Sequence, residues 1–328
     1  MSFTKYLPDR FTCLLMGAVI VASFFPARGS VSEVLSYLAS GVIFLLFFLH
    51  GIKLSRPAIW EGIGHWRLHL LVTAMTFAFF PVVGWALQPV LEPAFGHELY
   101  MGVLFLCAVP ATVQSAITLT ALAKGNMPAA ICSASGSTLM GILLTPLLVG
   151  VLMRIQVASG SEGMLHSIGK IAVQLFLPFL LGHLLRPWLA PVLQKHAKPV
   201  KALDQSAILL VVYSAFSGAV LGGIWDKVPL PNLLMLIALC AVILALSMGM
   251  CVLASRRLGF STEDEVAVLF CGAQKSLVSG VPMAKVMFAA PAVGLMILPL
   301  MIYHPMQLMV SAVVAGRYGR RASKPAQP

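Results

Sequence analysis

The segment FCGAQKSLVSGVP places hydrogen-bonding side chains inside an otherwise apolar stretch. Gln274, Lys275 and Ser276 are consecutive at its centre, and Ser279 lies one helical turn further on. A lysine at the centre of a bilayer costs about 2.5–3.5 kcal/mol on insertion scales, so such a lysine indicates a partner or a task. A proline and two glycines in the same segment weaken a helix. The segment therefore predicts a broken membrane helix that carries a functional cation.

A second polar segment begins at Pro110, in another apolar stretch, and continues with Thr112, Gln114 and Ser115. Backbone groups freed at membrane depth are tolerated only where they line a cavity or are buried in protein. Two facing breaks would form a site midway across the membrane, where half-helix N-termini offer amides to an anion and carbonyls suit a cation. The alternative is that both helices are only kinked and pack through serine and threonine.

The elements that must position these residues are membrane helices. The chain has 328 residues, of which 59% are hydrophobic and only 10% are charged, whereas soluble domains carry about a quarter charged residues. A membrane-spanning helix needs about 20 apolar residues. The apolar windows of the sequence predict ten spans, at residues 11–27, 35–54, 68–90, 99–123, 127–153, 168–190, 205–224, 230–254, 263–285 and 290–314.

The basic residues set the orientation of these spans. The net charge is +11, and most of the 22 Lys and Arg residues fall in alternate connections between the predicted spans. The positive-inside rule then places both termini in the cytoplasm. This distribution argues against a nucleic-acid-binding patch and predicts the lipid bilayer as the partner of the chain. The sequence carries no signal of oligomeric state.

The acidic residues limit the chemistry of the predicted midplane site. All 11 Asp and Glu residues fall in loops or at the ends of the predicted spans. Proton coupling through a midplane carboxylate is therefore excluded. The sequence also lacks the HExxH and GxSxG motifs and a phosphate-binding loop, which argues against an enzyme.

Two local matches indicate an internal duplication. GILLTPLLV, which begins at Gly141, is similar to GLMILPLMI, which begins at Gly294, and VQS at Val113 is similar to AQKS at Ala273. Five spans per half is an odd number, so the second half must be inverted, as in many secondary transporters. The chain then divides into a first five-span repeat at 1–155, an inverted second repeat at 156–316 and a basic cytoplasmic tail at 317–328.

The same segments resemble a known family. The stretch from Pro110, PATVQSAITLTALAKGNMPAAICSASGSTLMGILLTPLL, and FCGAQKSLVSGVP are similar to the bile acid:sodium symporter family, in the SBF-like branch that includes bacterial proteins and vertebrate solute carrier family 10 member seven. FLHGIKLSRPAI, FAFFPVVGW and LPLMIYHPMQLMVSAVVAGRY extend the resemblance over essentially the whole chain. It implies an all-α polytopic membrane protein with ten transmembrane helices, two inverted five-helix repeats, panel and core domains, and crossed discontinuous helices 4 and 9.

The resemblance also implies where sodium ligands would lie. In sodium-coupled members, span nine has a Glu followed four residues later by Gln and Asn. Here the Glu position holds Phe270 and the Asn position holds Lys275. The Ser and Thr ligands of span five fall on Ala130 and Ala134, and the Gln of span three falls on Thr76. The sequence therefore keeps few of the residues that hold sodium in the family.

These observations give one set of candidate residues and a hypothesis for Lys275. Its ammonium takes the volume that sodium occupies in related symporters, satisfies carbonyls of spans four and nine, and presents a positive charge to an anionic solute. A proton exchanged at this amine would make the transporter proton-linked, while neutral oxygens near Gln274 and Ser115 are the alternative site for sodium. No other cofactor is predicted. The candidate substrate- and ion-binding residues are Thr76, Pro110, Thr112, Gln114, Ser115, Asn126, Ser133, Ser135, Gln274, Lys275, Ser276, Ser279 and Pro282.

The predicted function is secondary active transport, by alternating access, of a small organic solute that is anionic and bile-acid-like. Two alternatives remain: a regulatory membrane protein of the same fold that does not transport, and a membrane-embedded lipid enzyme. Glu61, His65 and His69 have the spacing of a metal face, but the neighbouring Trp60 and Trp66 favour an interfacial helix.

Overall fold

The computed structural model describes residues 10–53, 63–153 and 164–322, which are helical with short connections and contain no strand. Within these ranges, eight helices are long and apolar enough to cross a membrane. The chain is therefore an integral membrane protein of the all-α class. The helices are α1 (Arg10–Phe24), α2 (Ser30–Lys53), α3 (Trp66–Ala86), α4 (Gln88–Phe95), α5 (His97–Ala108), α6 (Gln114–Leu122), α7 (Met127–Leu152), α8 (Met164–Lys195), α9 (Ala197–Leu221), α10 (Ile224–Lys227), α11 (Leu230–Arg257), α12 (Thr262–Gly272), α13 (Leu277–Met287) and α14 (Ala290–Arg321). All are α-helical, and α3 also contains one π-helical turn.

Each predicted span overlaps at least one of these helices. Two predicted spans are not among the eight long helices, for different reasons. α1 has only 15 residues, and the predicted fourth span is divided into α5 and α6. Residues 317–321 of the predicted cytoplasmic tail, 317–328, continue α14 as helix, and residues 323–328 lie outside the described residues. The predicted repeat boundary at 155–156 lies outside the described residues.

One group of helices consists of α1, α2, α8 and α9, with α2 packed along α8 and α1 packed along α9. Two glycines allow α2 and α8 to approach closely. A Cβ atom on Gly51 would overlap the carbonyl oxygen of Phe179, and one on Gly182 would overlap the carbonyl oxygen of Phe48. Small residues on both helices let the backbones meet, which is a common device of membrane helix pairs.

The other group contains α3, α5, α6, α7 and α11 to α14, with α5 packed along α14. The half-helices α12 and α13 lie deepest, because nearly all of the segment Thr262–Met287 is buried inside the protein. Phe270 of α12 is fully buried in an apolar cluster that also contains Ala130 and Ala134 of α7. These are three of the positions at which the family resemblance implies oxygen ligands, and here they form packed apolar core.

Charged pairs lie at helix ends. Glu265, in the first turn of α12, is buried and accepts a hydrogen bond of 2.8 Å from Nε of Arg256, and Tyr318 donates to the same carboxylate. Elsewhere Lys53 pairs with an aspartate of α9, and a lysine of α10 pairs with a glutamate of α5. The bonds to Glu265 thus fix the start of α12, which helps to hold the break between α12 and α13 in place.

Candidate functional site

The two interrupted helices meet at their breaks. The first break, at 109–113, separates α5 from α6, and the second, at 273–276, separates α12 from α13. The backbone N–H of Ser276 donates to the carbonyl oxygen of Pro110 at 2.8 Å. A backbone hydrogen bond from one break to the other fixes their separation, so the sequence-predicted polar segments are brought into direct contact.

Three side-chain oxygens form a cluster across the two breaks. The Thr112 hydroxyl donates to Oε1 of Gln274 at 2.6 Å, and the Ser115 hydroxyl lies 3.0 Å from the same oxygen. Gln274 is fully buried, and within the described part of the chain its Nε2 has no hydrogen-bond partner. A buried amide donor without a partner is costly, so this group is suited to donate to an acceptor that enters the site.

The Lys275 ammonium lies at the centre of the junction and is fully buried. Its Nζ donates to the carbonyl oxygens of Thr76, Cys107 and Val109, each at 2.9 Å. The same nitrogen lies 4.1 Å from the centroid of the Phe80 ring, which adds a cation–π contact. None of the ion pairs found in the described residues includes Lys275. The cation is therefore held by neutral oxygens and a ring rather than by a carboxylate.

The first break explains why carbonyl oxygens of α5 are available. In a continuous helix the N–H of Ala111 would bond the carbonyl of Cys107, but here it donates to Oγ of Ser137 at 3.0 Å. The next carbonyl, that of Ala108, accepts from the Thr145 hydroxyl at 2.9 Å. These carbonyls also form the negative end of the α5 dipole, which favours a cation.

The third carbonyl is available because α3 contains a π-helical turn, Met75–Phe79. The N–H of Phe80 donates to the carbonyl of Met75 rather than to that of Thr76. The next residue, Pro81, has no N–H to donate. The Thr76 carbonyl is thus left without a backbone donor from either helical register, and the lysine supplies one. π-helical turns are often found at functional sites.

Side chains of α14 satisfy the second break. Gln307 accepts from the backbone N–H of Lys275 and donates to its carbonyl, both at 2.8 Å. The Tyr303 hydroxyl donates to the carbonyl of Ala273 at 2.8 Å, and His304 lies 3.3 Å from the carbonyl of Lys275. None of the three is among the candidate site residues predicted from the sequence, although polar side chains within the apolar tenth span are a signal that could have indicated them.

The remaining candidates of the two segments have local roles. Ser276 is the N-cap of α13, and its hydroxyl accepts from the N–H of Ser279 at 3.1 Å. Pro282 is buried within α13. Gln114 is the first residue of α6 and is exposed, so it lies beyond the break rather than in it. Gln114 and Gln274, which the sequence match paired, therefore have different environments.

The three candidates of span five do not lie at the breaks. Asn126 caps the start of α7, and its Nδ2 donates to Asp264 at 2.7 Å. Ser133 is 2.7 Å from Nδ1 of His69, and Ser135 is half-buried on the same helix. These contacts connect α7 with α12 and α3. The predicted metal face has one residue, Glu61, outside the described residues, and no group of three metal-ligating side chains occurs within them.

Comparison with known proteins places this geometry in a family. The model of the SBF-like CPA transporter family matches residues 9–320. The chain belongs to this family. An uncharacterized protein of Pseudomonas aeruginosa, PA2026, is 53% identical over 98% of this chain and 96% of its own length. YfeH of Escherichia coli, whose name describes it as a candidate symporter, is 49% identical over 96% of this chain and 94% of its own length.

A vertebrate relative extends the similarity. Sodium/bile acid cotransporter 7 of Danio rerio is 29% identical over 92% of this chain and 91% of its own length. The SBF-like family and the two relatives named as a symporter and a cotransporter are transporters rather than enzymes. The resemblance found in the sequence is thereby confirmed.

Proposed function

We propose that this SBF-like chain is a secondary active transporter of a small organic anion and that the Lys275 ammonium replaces the sodium ion of related symporters. The observation that supports this proposal is the position of Nζ, which is 2.9 Å from three carbonyl oxygens released by two irregular helices. Unwound carbonyls and helix C-terminal ends are the groups that hold sodium in transporters built from broken helices. Here they already have a cation.

The residues at the family's sodium positions fit a sodium ion poorly. The carboxylate position holds Phe270, which is fully buried against apolar neighbours. The oxygens of Thr112 and Ser115 are already bonded to Oε1 of Gln274. A sodium ion beside them would also be repelled by the nearby ammonium, whose charge the low-dielectric interior screens weakly.

An anionic solute follows from the charge balance of the site. No ion pair of the described residues neutralises Lys275, so an arriving anion would gain from a buried positive charge. The Nε2 of Gln274 and the exposed start of α6 offer further donors. Because one relative is named as a sodium/bile acid cotransporter, we infer an amphipathic, bile-acid-like anion as the solute class.

The coupling ion in this proposal is a proton carried by Lys275. The carboxylates of the described chain lie at helix ends and in connections, as with Glu265 in the first turn of α12. Of the titratable side chains at the junction, which include His304, the lysine is the one whose ammonium bonds the three carbonyls. Loss of its proton would weaken its hold on the three carbonyls and allow the two breaks to separate during the transport cycle.

The proposed architecture is the one that the resemblance implies. It has ten spans, two inverted repeats (1–155 and 156–316), both termini in the cytoplasm of a bacterial cell, and crossed discontinuous helices. The panel corresponds to the group α1, α2, α8 and α9, and the core to the group that carries both breaks. Relative movement of these groups gives alternating access to the junction.

Uptake of labelled cholate into proteoliposomes tests the proposal. With an inward proton gradient and no sodium, the wild-type protein should accumulate cholate, and a sodium gradient should add nothing. The Lys275→Met variant should lose accumulation, while Lys201→Met, which alters an exposed lysine of α9, should retain it. Accumulation that requires sodium would overturn the proposed coupling. Binding of cholate without uptake would instead favour a regulatory protein that does not transport.

A further inference from the structure

A second lysine of the broken ninth span contacts the other group of helices. Lys285 lies in the last turn of α13, and its Nζ donates to the hydroxyl of Ser214 on α9. Both residues are partly buried. α13 belongs to the group with the breaks and α9 to the group with α1, α2 and α8. Because α9 also packs along α14, this hydrogen bond is one of the contacts that join the two groups whose relative movement is proposed above.

The partner of Lys285 is neutral. None of the ion pairs found in the described chain includes this lysine. The hydroxyl of Ser214 carries no charge, whereas an anion adds a full opposite charge whose attraction to the ammonium is weakly screened at a partly buried position. An anion that reaches Lys285 would therefore compete well with the hydroxyl of Ser214. Lys285 also lies at the C-terminal end of α13, where the helix dipole favours a cation. The dipole alone does not explain why Lys285 contacts α9.

The segment that follows Lys285 in the chain is apolar. Val286, Met287 and Phe288 follow it directly and are half-buried, so each presents some surface. The Phe288 ring contacts that of Phe105 edge-on, with centroids 5.4 Å apart. A cation next to partly exposed aliphatic and aromatic side chains matches an amphipathic anion, whose charged group and apolar body need different partners.

Lys285 is separated from the buried junction along α13. Lys285 follows Lys275 by ten positions, and the helical part of this stretch, from Leu277 to Lys285, is about 12 Å long at 1.5 Å per residue. Lys275 is fully buried, whereas Lys285 is only partly so. In this conformation Lys285 is therefore the more accessible of the two lysines.

We propose that Lys285 binds the anionic group of the transported solute, and that Ser214 takes the place of that anion when no solute is bound. This assignment rests on the anionic solute of the proposed function and adds the residue that recognises its charge. Binding then replaces a contact between α9 and α13 with a contact to the solute, which couples solute arrival to separation of the two helix groups.

Charge-selective binding to the purified protein tests this assignment without requiring transport. The probes are cholate and decanoate, each compared with its uncharged methyl ester below micelle-forming concentrations, and the readout is thermal stability in detergent. For the wild type, both anions should stabilise the protein more than their esters do. Lys285→Met should weaken the apparent affinity for the anions about tenfold or more and leave the response to the esters unchanged.

Two further variants make the outcome decisive. Lys285→Arg should keep most of the charge selectivity, and Ser214→Ala should raise the affinity for the anions because it removes their competitor. The assignment is overturned if neither anion is preferred over its ester by the wild type. It is equally overturned if folded Lys285→Met retains the full preference. If charge-selective binding is retained but proteoliposomes show no uptake, the assignment of Lys285 stands and only the proposed transport is contradicted.

Discussion

At the scale of single residues, Lys275 connects three pieces of backbone that have lost their regular partners. Its ammonium bonds carbonyls of α3 and of the end of α5, while its own N–H and carbonyl are held by Gln307 of α14. Backbone groups cannot be left unpaired at membrane depth without a cost of several kcal/mol each. The lysine therefore stabilises an arrangement in which irregular backbone is possible.

Replacement of this lysine should destabilise the protein. Lys275→Met keeps much of the side-chain volume but removes the donor to three buried carbonyls, and an unsatisfied buried group costs about 1–3 kcal/mol. We expect a clear fall in the melting temperature of the purified protein in detergent. Lys201→Met, at an exposed position of α9, should melt like the wild type. Equal melting of Lys275→Met and the wild type would show that the three contacts do not hold the junction.

The hydroxyls that complete the first break should be important for the same reason. Ser137→Ala removes the acceptor of the Ala111 N–H, and Thr145→Val removes the donor to the Ala108 carbonyl with little change in shape. Each should lower the free energy of unfolding by about 1–3 kcal/mol. Chemical denaturation should detect these losses, whereas Ser135→Ala, on the same helix and half-buried, should have a smaller effect. A larger loss for Ser135→Ala would contradict this account.

At the scale of helices, the two breaks and the π-helical turn are produced by different local causes. Pro110 cannot donate to the preceding turn of α5, and Pro81 leaves the Thr76 carbonyl free. The break after α12 has no proline within it, and it is held open by side chains of α14, chiefly Gln307. The regular helices on either side of these irregularities then orient the freed backbone carbonyl groups toward one point.

Close packing of α2 on α8 supports the group that faces this junction. Gly51→Ala or Gly182→Ala would drive a methyl group into a carbonyl oxygen of the opposite helix, and overpacking typically costs about 1–3 kcal/mol. Both variants should melt at lower temperature than the wild type. Gly41→Ala is the matched control on α2, because no heavy atom of the described residues lies within 4 Å of its added Cβ. It should be neutral or slightly stabilising, since alanine favours a helix by about 0.5–1 kcal/mol. Similar effects at all three glycines would contradict the packing explanation.

At the scale of the whole molecule, the sequence predicted the helices and the breaks better than it predicted what satisfies the breaks. Proline, glycine and polar residues in an apolar window are a local signal, and both Pro110 and the segment around Lys275 carried it. Gln307 and Ser137 bond groups that lie far away in the chain, so periodicity and spacing do not reveal their role. Thr76 was predicted through a family resemblance, but its carbonyl, rather than its hydroxyl, contacts the cation.

The charge distribution connects this architecture with function. Ion pairs such as that between Arg256 and the buried Glu265 lie at helix ends, while the two lysines of the ninth span have neutral partners. A transporter of anions needs positive charge along its path without fixed counter-charges. Among the described residues, the distribution of ion pairs agrees with this requirement of the proposed transport.

The response of thermal stability to sodium tests the central claim most directly. The purified protein is melted in detergent in sodium chloride and in choline chloride at equal ionic strength, with Lys275→Asn as the matched variant. A ligand that binds only the folded state stabilises it by RT ln(1 + [L]/Kd). We predict that the wild type melts at the same temperature in both salts, and that Lys275→Asn, whose freed carbonyl oxygens can take a cation, is stabilised by sodium. Sodium-specific stabilisation of the wild type would contradict the claim that Lys275 is the resident cation.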